Sequence, residues 1–568
     1  MERIVLFVVN SIYFIINLKD ESYYKYCLKD PSKAQERILE SILKRNRKTK
    51  FGTDNSFDKI LSINDYKEKV AVSKYEDYLP YIELLKRGDK NILTKSTIKR
   101  FFLSSGTSST IKLIPFNRQL KREFQKAIAA WLNNIIRNYP SILFGKSFWI
   151  ITPIAKAGYP NSKIPVGFEE DGSYFGYIQK YLLQKLMAVP DEVCQLNNSE
   201  NYYYAVSYFL LKQKNLRLIS VWNPLVLSNI IRKIIQYHHQ LIPDIETGKL
   251  SFPDKVSYQI EVLFKKHLNP EPKDAIRLKH IFQNIDLKGE SSLLTSKLWP
   301  KLTLISCWTD SWASRFTTRL NEFFPGIPIQ GKGLLATEAA ITVPIKFKNS
   351  TESVCLPAIS SHYLEFKGVD DQNVYGVHQL KKGDKYEVIV TTSGGFYRYS
   401  LNDIVEVTGF YKNTPAFKFL GKSDIVCDIT GEKLNETHVS SVIERIRKEF
   451  CLSSMVIFIS PLLTEATPNY IMFVEDIDNM IVARTYSAIV TRLDELLSEN
   501  YHYKNSRVLL QLRIPEIFVM KPEAIGSFLN HKSIHSKQGS TKVSSLDFKQ
   551  DWTAILPGFF MKSKTIVI

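Results

Sequence analysis

The stretch Phe101-Phe102-Leu103-Ser104-Ser105-Gly106-Thr107-Ser108-Ser109-Thr110-Ile111-Lys112-Leu113-Ile114-Pro115 constrains this chain more than any other. One apolar, strand-like run enters it, Phe101 to Leu103, and a second, Ile111 to Pro115, leaves it carrying a lysine. Between them stand seven residues, six hydroxylated and one glycine. A turn of this make-up presents backbone N–H groups, hydroxyl donors and a nearby cation, which are the groups that polyphosphate oxygens require. A flexible Ser/Thr linker is the plainer reading, but linkers seldom sit between two apolar runs.

At 568 residues the chain is too long for one core, so two or more domains are expected. Apolar residues at 44% and aromatics at 12% supply packed cores and argue against disorder. The formal net charge of +19 favours an anionic partner: nucleotide, acidic metabolite, nucleic acid or membrane surface. Lysines and arginines are scattered, with no basic block interleaved with aromatics, so nucleic acid is not expected. A compositional bias toward Lys, Asn and Ile accounts for the charge equally well.

The six cysteines form no C-x-x-C pair, and their spacings suit neither a disulfide framework nor a zinc site. This reads as a reducing, cytoplasmic protein. Ile4 to Ile16 is apolar but interrupted by Asn10, and it falls short of the roughly 18 residues of a spanning helix. It is read as a helix packed on the body, with membrane association as the alternative and no stable insertion. A monomer is expected.

Residues 1–100 read as mostly helical, including Lys33 to Arg45 and a mixed pattern from Asp65 to Tyr78 ending near Pro80. Asn117 is a plausible N-cap for a helix over Arg118 to Asn138. That helix gathers Leu120, Phe124, Ile128, Trp131, Leu132 and Ile135 on one face, as a core helix and pocket wall. Ser147 to Thr152, Leu216 to Val221 and Leu302 to Cys307 look like buried strands. Helical segments lie between them (Tyr174 to Met187, Asn201 to Lys212, Pro224 to Tyr237), which implies α/β layering.

From Val354 to Phe419 short strands take over: Tyr386 to Thr391, Ile404 to Phe410 and Ala416 to Leu420, a β-rich subdomain. The last 140 or so residues read as a separate α+β unit. Helices are expected over His438 to Phe450 and Ile477 to Glu499, and strands over Met455 to Ser460, Tyr470 to Glu475 and Val508 to Ile514.

Four further stretches carry candidate chemistry. Gly326 to Glu338 contains a near-miss to a P-loop: Gly331 and Lys332 fit, but Gly333 stands where Ser or Thr would hold magnesium, and Pro328 removes an N–H. Its end, Ala336-Thr337-Glu338, joins a hydroxyl to a carboxylate, a pair able to hold a phosphate oxygen and hydrated Mg²⁺. In Phe396 to Val405, Asp403 follows an aromatic–cation cluster and could accept the hydroxyls of a ribose, or be an ordinary strand-edge Asp. Gly421-Lys422-Ser423-Asp424 suits a hinge or a plain β-turn. Gln538 to Lys542 offers one lysine among several.

Taken in this order, the stretches resemble the acyl acid–amido synthetase family, the auxin-responsive, hormone-conjugating enzymes of plants and their bacterial relatives, within the adenylate-forming ligase superfamily. Ser104 to Lys112 is similar to the family's phosphate loop, and Leu335-Ala336-Thr337-Glu338 to its Thr-Glu motif. Tyr397-Arg398 through Asp403-Ile404-Val405 is similar to its Tyr-Arg…Gly-Asp-x-Val, and Gly421 to Asp424 to its hinge Gly-Arg-x-Asp. The resemblance covers nearly the whole chain.

It implies a large N-terminal α/β adenylation domain with a β-rich subdomain (1–421), a hinge (422–432) and a small, mobile α+β C-terminal lid domain (433–568). It also implies ATP-dependent adenylation of a carboxylic acid, then acyl transfer to an amine, with an amino acid expected. ATP and Mg²⁺ would be required. Ser104, Ser105, Gly106, Thr107, Ser108, Lys112, Ala336, Thr337 and Asp403 would bind ATP, and Glu338 would hold Mg²⁺. Lys542 would act on the α-phosphate and acyl carboxylate, and Lys422 and Asp424 would form the hinge. Phe124, Ile128, Trp131 and Trp222 are candidates for the acyl pocket. Lys422 replaces the hinge arginine, and Asn402 the glycine before Asp403. Two alternatives remain open: an acyl-CoA-forming ligase, and a nucleotide-binding member without activity.

Overall fold

Asn117 shows how a short polar signal sets the frame. The computed structural model describes residues 2–104, 112–150, 162–167, 185–196, 198–287, 291–310, 313–348, 350–422, 426–427, 429, 432, 434–452, 456–462, 468–475, 483–508, 512–521, 524–533, 544–547, 552–555 and 560–562. Asn117 ends strand Lys112–Asn117, and its side-chain oxygen accepts from the backbone N–H of Gln119 (3.0 Å) and Leu120 (2.9 Å). Two donors that the first helical turn leaves over are thereby satisfied, and helix Arg118–Asn138 begins at once. The same Asn117 donates to the Ser393 carbonyl at 2.7 Å, tying the helix start to the β-rich region.

The strand preceding it, Ile98–Ser104, pairs antiparallel with Lys112–Asn117 and sets Ser104 opposite Lys112. The two apolar runs are therefore a hairpin, and the Ser/Thr turn between them, 105–111, lies outside the described residues.

Strand–helix alternation yields a parallel sheet, Lys146–Trp149, Leu216–Ser220, Leu304–Cys307 and Ile329–Gly331, in chain order. Helices Ser199–Leu211 and Pro224–Thr247 pack with it around one core that includes Tyr204, Ile219, Ile230 and Ile305. An antiparallel sheet of seven strands follows, ordered 374–376, 363–368, 385–391, 399–411, 414–422, 353–357 and 342–346. Its inner face shares a second core with the N-terminal helices and Arg118–Asn138, through Phe101, Phe124, Val388 and Val405.

The C-terminal sheet runs Ile457–Leu462, Asn469–Glu475, Glu516–Met520, Phe560–Lys562. One face packs on helices Glu436–Glu449 and Ala483–Leu497. The other, carrying Phe458 and Phe473 with Phe528 and Trp552, also meets Trp308 and Ala313, which both lie between strands Leu304–Cys307 and Ile329–Gly331 of the parallel sheet.

Three expectations are corrected. The Asp65–Tyr78 pattern resolves into two helices, and the second, Tyr75–Lys86, continues through Pro80 and gives up one i to i−4 bond there. Helix Pro224–Thr247 runs ten residues past Tyr237 and contains Pro243. The strand expected over Val508 to Ile514 falls elsewhere: Val508 closes helix Tyr501–Val508, residues 512–514 are not in a strand, 509–511 lie outside the described residues, and the strand is Glu516–Met520, fixed by its parallel ladder with Asn469–Glu475. Most of Tyr174–Met187 lies outside the described residues. None of the six cysteines is in a disulfide. Among the described residues no helix is long and apolar enough to cross a membrane.

Gly333 and Gly326 both have positive φ, +69° and +77°. A Cβ on Gly333 would meet Thr342 Oγ1 at 2.3 Å, and that oxygen already accepts from the Leu334 N–H; a Cβ on Gly326 would meet nothing within 4 Å. Gly326→Ala should therefore cost only the left-handed backbone term, ~1 kcal/mol, and Gly333→Ala about 3 kcal/mol. The urea midpoints of the two variants should differ in that order.

Candidate active site

Trp308 and Gly333, just past the carboxyl ends of two parallel strands, share a cleft with Phe419 of strand 414–422, the usual position for a ligand crevice in an open α/β sheet. Strand Ile329–Gly331 leads into the turn 335–340, in which Ala336 N–H donates to the Ala339 carbonyl at 2.9 Å. Glu338 sits in this turn and is buried, with 6% of its surface exposed. Burial pushes its carboxyl pKa up; Lys422 and Lys112 act against this, and Asp403 adds to it. Residues far apart in the sequence thus meet in one electrostatic neighbourhood: Lys112, Glu338, Asp403 and Lys422.

Asp403 and Lys422 are directly opposite each other on neighbouring strands, and Lys422 Nζ lies 2.8 Å from Asp403 Oδ1. Lys422 also donates to the Leu401 carbonyl at 3.0 Å. Asn402, in place of a glycine, has φ +57°. Asparagine is among the few residues besides glycine that enter this region readily, so the exchange keeps the backbone turn that presents Asp403. Lys112 Nζ is 3.4 Å from the Tyr399 hydroxyl and lies over the rings of Tyr75 and Tyr399. The Tyr75 hydroxyl accepts from the Leu113 N–H at 2.6 Å, which fixes the strand that carries the lysine.

The turn holding Glu338 is tied from behind. Ala340 N–H donates to His362 Nε2 at 3.1 Å, so the proton of this imidazole is on Nδ1, 3.1 Å from Glu123 Oε2. Glu123 in turn accepts from the Ser393 N–H. This chain of buried bonds joins helix Arg118–Asn138 to both the turn and the β-rich region. Sequence reading missed it, because a lone His and a helical Glu carry no motif.

Trp131 and Trp222, two of the four acyl-pocket candidates, converge on Lys332, which is 5% exposed. Lys332 Nζ donates to Ser220 Oγ at 2.8 Å and lies 4.1 Å from the Trp222 ring centre, 5.4 Å from Trp131 and 5.5 Å from Trp149. Trp131 Nε1–H donates to Gln330 at 2.8 Å, which sets the indole's orientation. Lys332 therefore belongs to an aromatic wall, and Ile329–Gly331 is a strand, as rejection of a P-loop required. Phe124 packs edge-on to His362, and Ile128 is half-buried against the second core.

An open cleft adjoins the turn, lined by Trp308, Asp310, Gly333, Leu334, Leu335 and Phe419. Burial raises the pKa of Asp310, which accepts from the Phe419 N–H at 3.3 Å.

Ser104 lies at the hairpin end, while Ser105, Gly106, Thr107, Ser108, Asp424 and Lys542 fall outside the described residues. Two ammonium groups and the half-buried Thr337 hydroxyl offer donors to phosphate oxygens, and two buried carboxylates offer acceptors to ribose hydroxyls or a cation. Among the described residues no three His, Cys, Asp or Glu side chains group as a metal site. A divalent cation would then rest on Glu338, water and phosphate oxygens, as suits magnesium.

Residues 23–329 match the GH3 family N-terminal domain and residues 355–422 the GH3 family central domain. The chain is 23% identical over 469 residues to the indole-3-acetic acid-amido synthetase GH3.2 of Arabidopsis thaliana, covering 76% of this chain and 82% of that protein. It is 25% identical over 452 residues to the 4-substituted benzoates-glutamate ligase GH3.12 of the same plant, covering 76% of each. The solved structure of the GH3.15 acyl acid amido synthetase superposes with a TM-score of 0.79 at 20% identity, covering 95% of this chain and 96% of that one. With the first of these domains alone spanning more than half its length, the chain belongs to the GH3 family of acyl acid amido synthetases.

Proposed function

We propose that this protein adenylates a carboxylic acid with ATP and passes the acyl group to the amine of an amino acid. The observation that carries this reading is the meeting of Lys112, Glu338, Asp403 and Lys422 beside the carboxyl ends of the parallel sheet. In the first half, a carboxylate oxygen of the acid attacks the α-phosphorus and pyrophosphate leaves. In the second, the amine attacks the acyl carbon, AMP departs, and one proton is lost from nitrogen.

The protein's own task in both halves is to hold like-charged reactants together and to neutralise charge that grows on oxygen. Lys112 and the Ser/Thr turn, with Ser104, Ser105, Gly106, Thr107 and Ser108, would take the phosphates. Asp403 would take the ribose hydroxyls, and Thr337 a phosphate oxygen. Bound magnesium, held by Glu338, would supply charge neutralisation there. Lys542 would approach from the C-terminal unit, and Lys422 and Asp424 would form the hinge between the two units (1–421 and 433–568).

The acid would lie against Trp131 and Trp222, with Lys332 in the same wall. An aromatic acid suits such a surface, because indole faces stack on flat rings. Relatives named for indole-3-acetic acid and 4-substituted benzoates are in keeping with that class, and the glutamate ligase with an amino acid acceptor.

Acid-dependent exchange of labelled pyrophosphate into ATP tests the first half, across a panel of aromatic and aliphatic acids. Asp403→Asn and Lys542→Ala should each lower that exchange about 10²–10³-fold with the fold retained. An unchanged rate would remove the residue from the mechanism, and product mass with amino acids or with coenzyme A identifies the acceptor.

Lys332→Met keeps length and removes the charge. It should raise KM for the acid about tenfold while leaving KM for ATP within about twofold. Equal changes in both would place Lys332 outside the acid site.

Glu338 gives a pH test. Its folded pKa is raised, so the folded state keeps a proton to higher pH than the unfolded chain does. The group's contribution to stability is present at low pH and lost as pH rises through the raised value. Glu338→Gln should therefore gain thermal stability relative to the wild type between about pH 5 and pH 8, while magnesium-dependent turnover is lost.

A further inference from the structure

The N-terminal helix Glu2–Cys27 has two apolar faces, and only one is used by the fold. Leu6, Asn10, Tyr13, Asn17 and Tyr24 recur at helical spacing and are buried. Asn10 donates to the carbonyls of Leu143 (3.0 Å) and Gly145 (3.3 Å). Asp20 pairs with Arg122 at 2.6 Å and Glu21 with Arg137 at 2.8 Å, so the helix is clamped to Arg118–Asn138.

At 100° per residue, Ile4, Val8, Ile12, Ile15 and Ile16 project to the opposite side. They are 69%, 47%, 40%, 61% and 42% exposed. Phe7 widens the surface by stacking on Phe144 with ring centres 4.9 Å apart, both rings partly exposed. Residues 4–18 contain no charged side chain. A surface helix ordinarily turns a polar face to water, and a contiguous apolar patch marks an interaction surface where single exposed apolar residues do not.

The charges at the two ends of this patch are mostly basic, with Glu2 and the exposed Asp30 as the acids next to them. Burial, and then the nearby charge of Arg3, lower the pKa of both Arg217 and Lys301, so the three cations form a cluster at the helix start. Lys19 and Lys29 are exposed at the far end, while the acids Asp20 and Glu21 are turned inward and paired. A second copy docking here with two-fold symmetry would bring these clusters toward each other on chains of net charge +19. An anionic surface is complementary to the same pattern.

We propose that this face docks reversibly on an anionic lipid bilayer, the helix lying in the plane of the interface. Its isoleucine and valine row enters the boundary of the acyl chains, and Arg3, Lys19, Arg217 and Lys301 meet headgroup phosphates. The helix lies on the membrane without spanning it: its other face is committed to the body, and among the described residues no helix is long and apolar enough to cross.

Sedimentation of the full chain with phosphatidylcholine vesicles, with and without about 30% phosphatidylserine, tests this. The wild type should partition about tenfold more strongly onto the anionic vesicles, and added salt should weaken the binding. The quadruple variant Ile4→Ser, Val8→Ser, Ile12→Ser, Ile15→Ser should lose about tenfold or more of that partition, with circular dichroism and thermal midpoint retained because the altered face is exposed. Arg3→Glu with Lys19→Glu should abolish the preference for phosphatidylserine.

Failure of the wild type to bind either vesicle overturns the proposal, as does undiminished binding by the quadruple variant. Sedimentation equilibrium supplies the remaining outcome: a wild-type dimer that the quadruple variant converts to monomer would assign the face to a second copy and overturn the membrane reading.

Discussion

Glu338 is a carboxylate held where water is scarce, and the surrounding elements are arranged around the difficulty of keeping it there. An isolated buried carboxylate costs several kcal/mol, roughly, and would shed its charge by taking up a proton. The protein sets two lysines from two different sheets near it, and it fixes the turn that carries it through Ala340, His362 and Glu123. The Glu123–His362 pair is buried. It ties helix Arg118–Asn138, the turn and the start of the Ser393 loop to one another. The aromatic wall on that helix and the carboxylate in the turn thus share one support.

Local signals in the sequence carried much of the architecture. The Asn117 cap, the helical face from Leu120 to Ile135 and the strand–helix alternation after Ser147 all depend on neighbours within a few residues, and the structure has them in place. The hairpin around the Ser/Thr turn was legible for the same reason. Val508–Ile514 was misread because a short apolar run carries no period that separates helix end from strand. Only the parallel ladder with Asn469–Glu475 decides between them, and that ladder joins segments more than forty residues apart. Pro80 misled in the opposite direction, since packing of Tyr75, Tyr78, Ile82 and Leu85 outweighs the one backbone bond that the proline removes.

The site was legible as a set of motifs and not as a shape. Lys112, Glu338 and Asp403 could be named singly, but the cross-strand pairing of Asp403 with Lys422 is a matter of register. The wall around Lys332 draws on four elements spread from residue 131 to residue 332, none of which signals the others. Asn402 shows how low identity coexists with a shared fold. What the position requires is a backbone in the left-handed region, and asparagine meets that requirement nearly as well as glycine.

The crowding of indoles near the site has an optical consequence. Of the seven tryptophans in the chain, Trp131, Trp149 and Trp222 surround the Lys332 ammonium group, and Trp308 stands 5.9 Å from Trp222, ring centre to ring centre. Indole emission responds to nearby charge and to exclusion of water, so the protein carries a built-in fluorophore array at the place where its acid is proposed to sit. Ligand entry there becomes readable as a change in intrinsic emission, without label or coupled assay, in a chain whose other described tryptophans, Trp299 and Trp552, are fully buried.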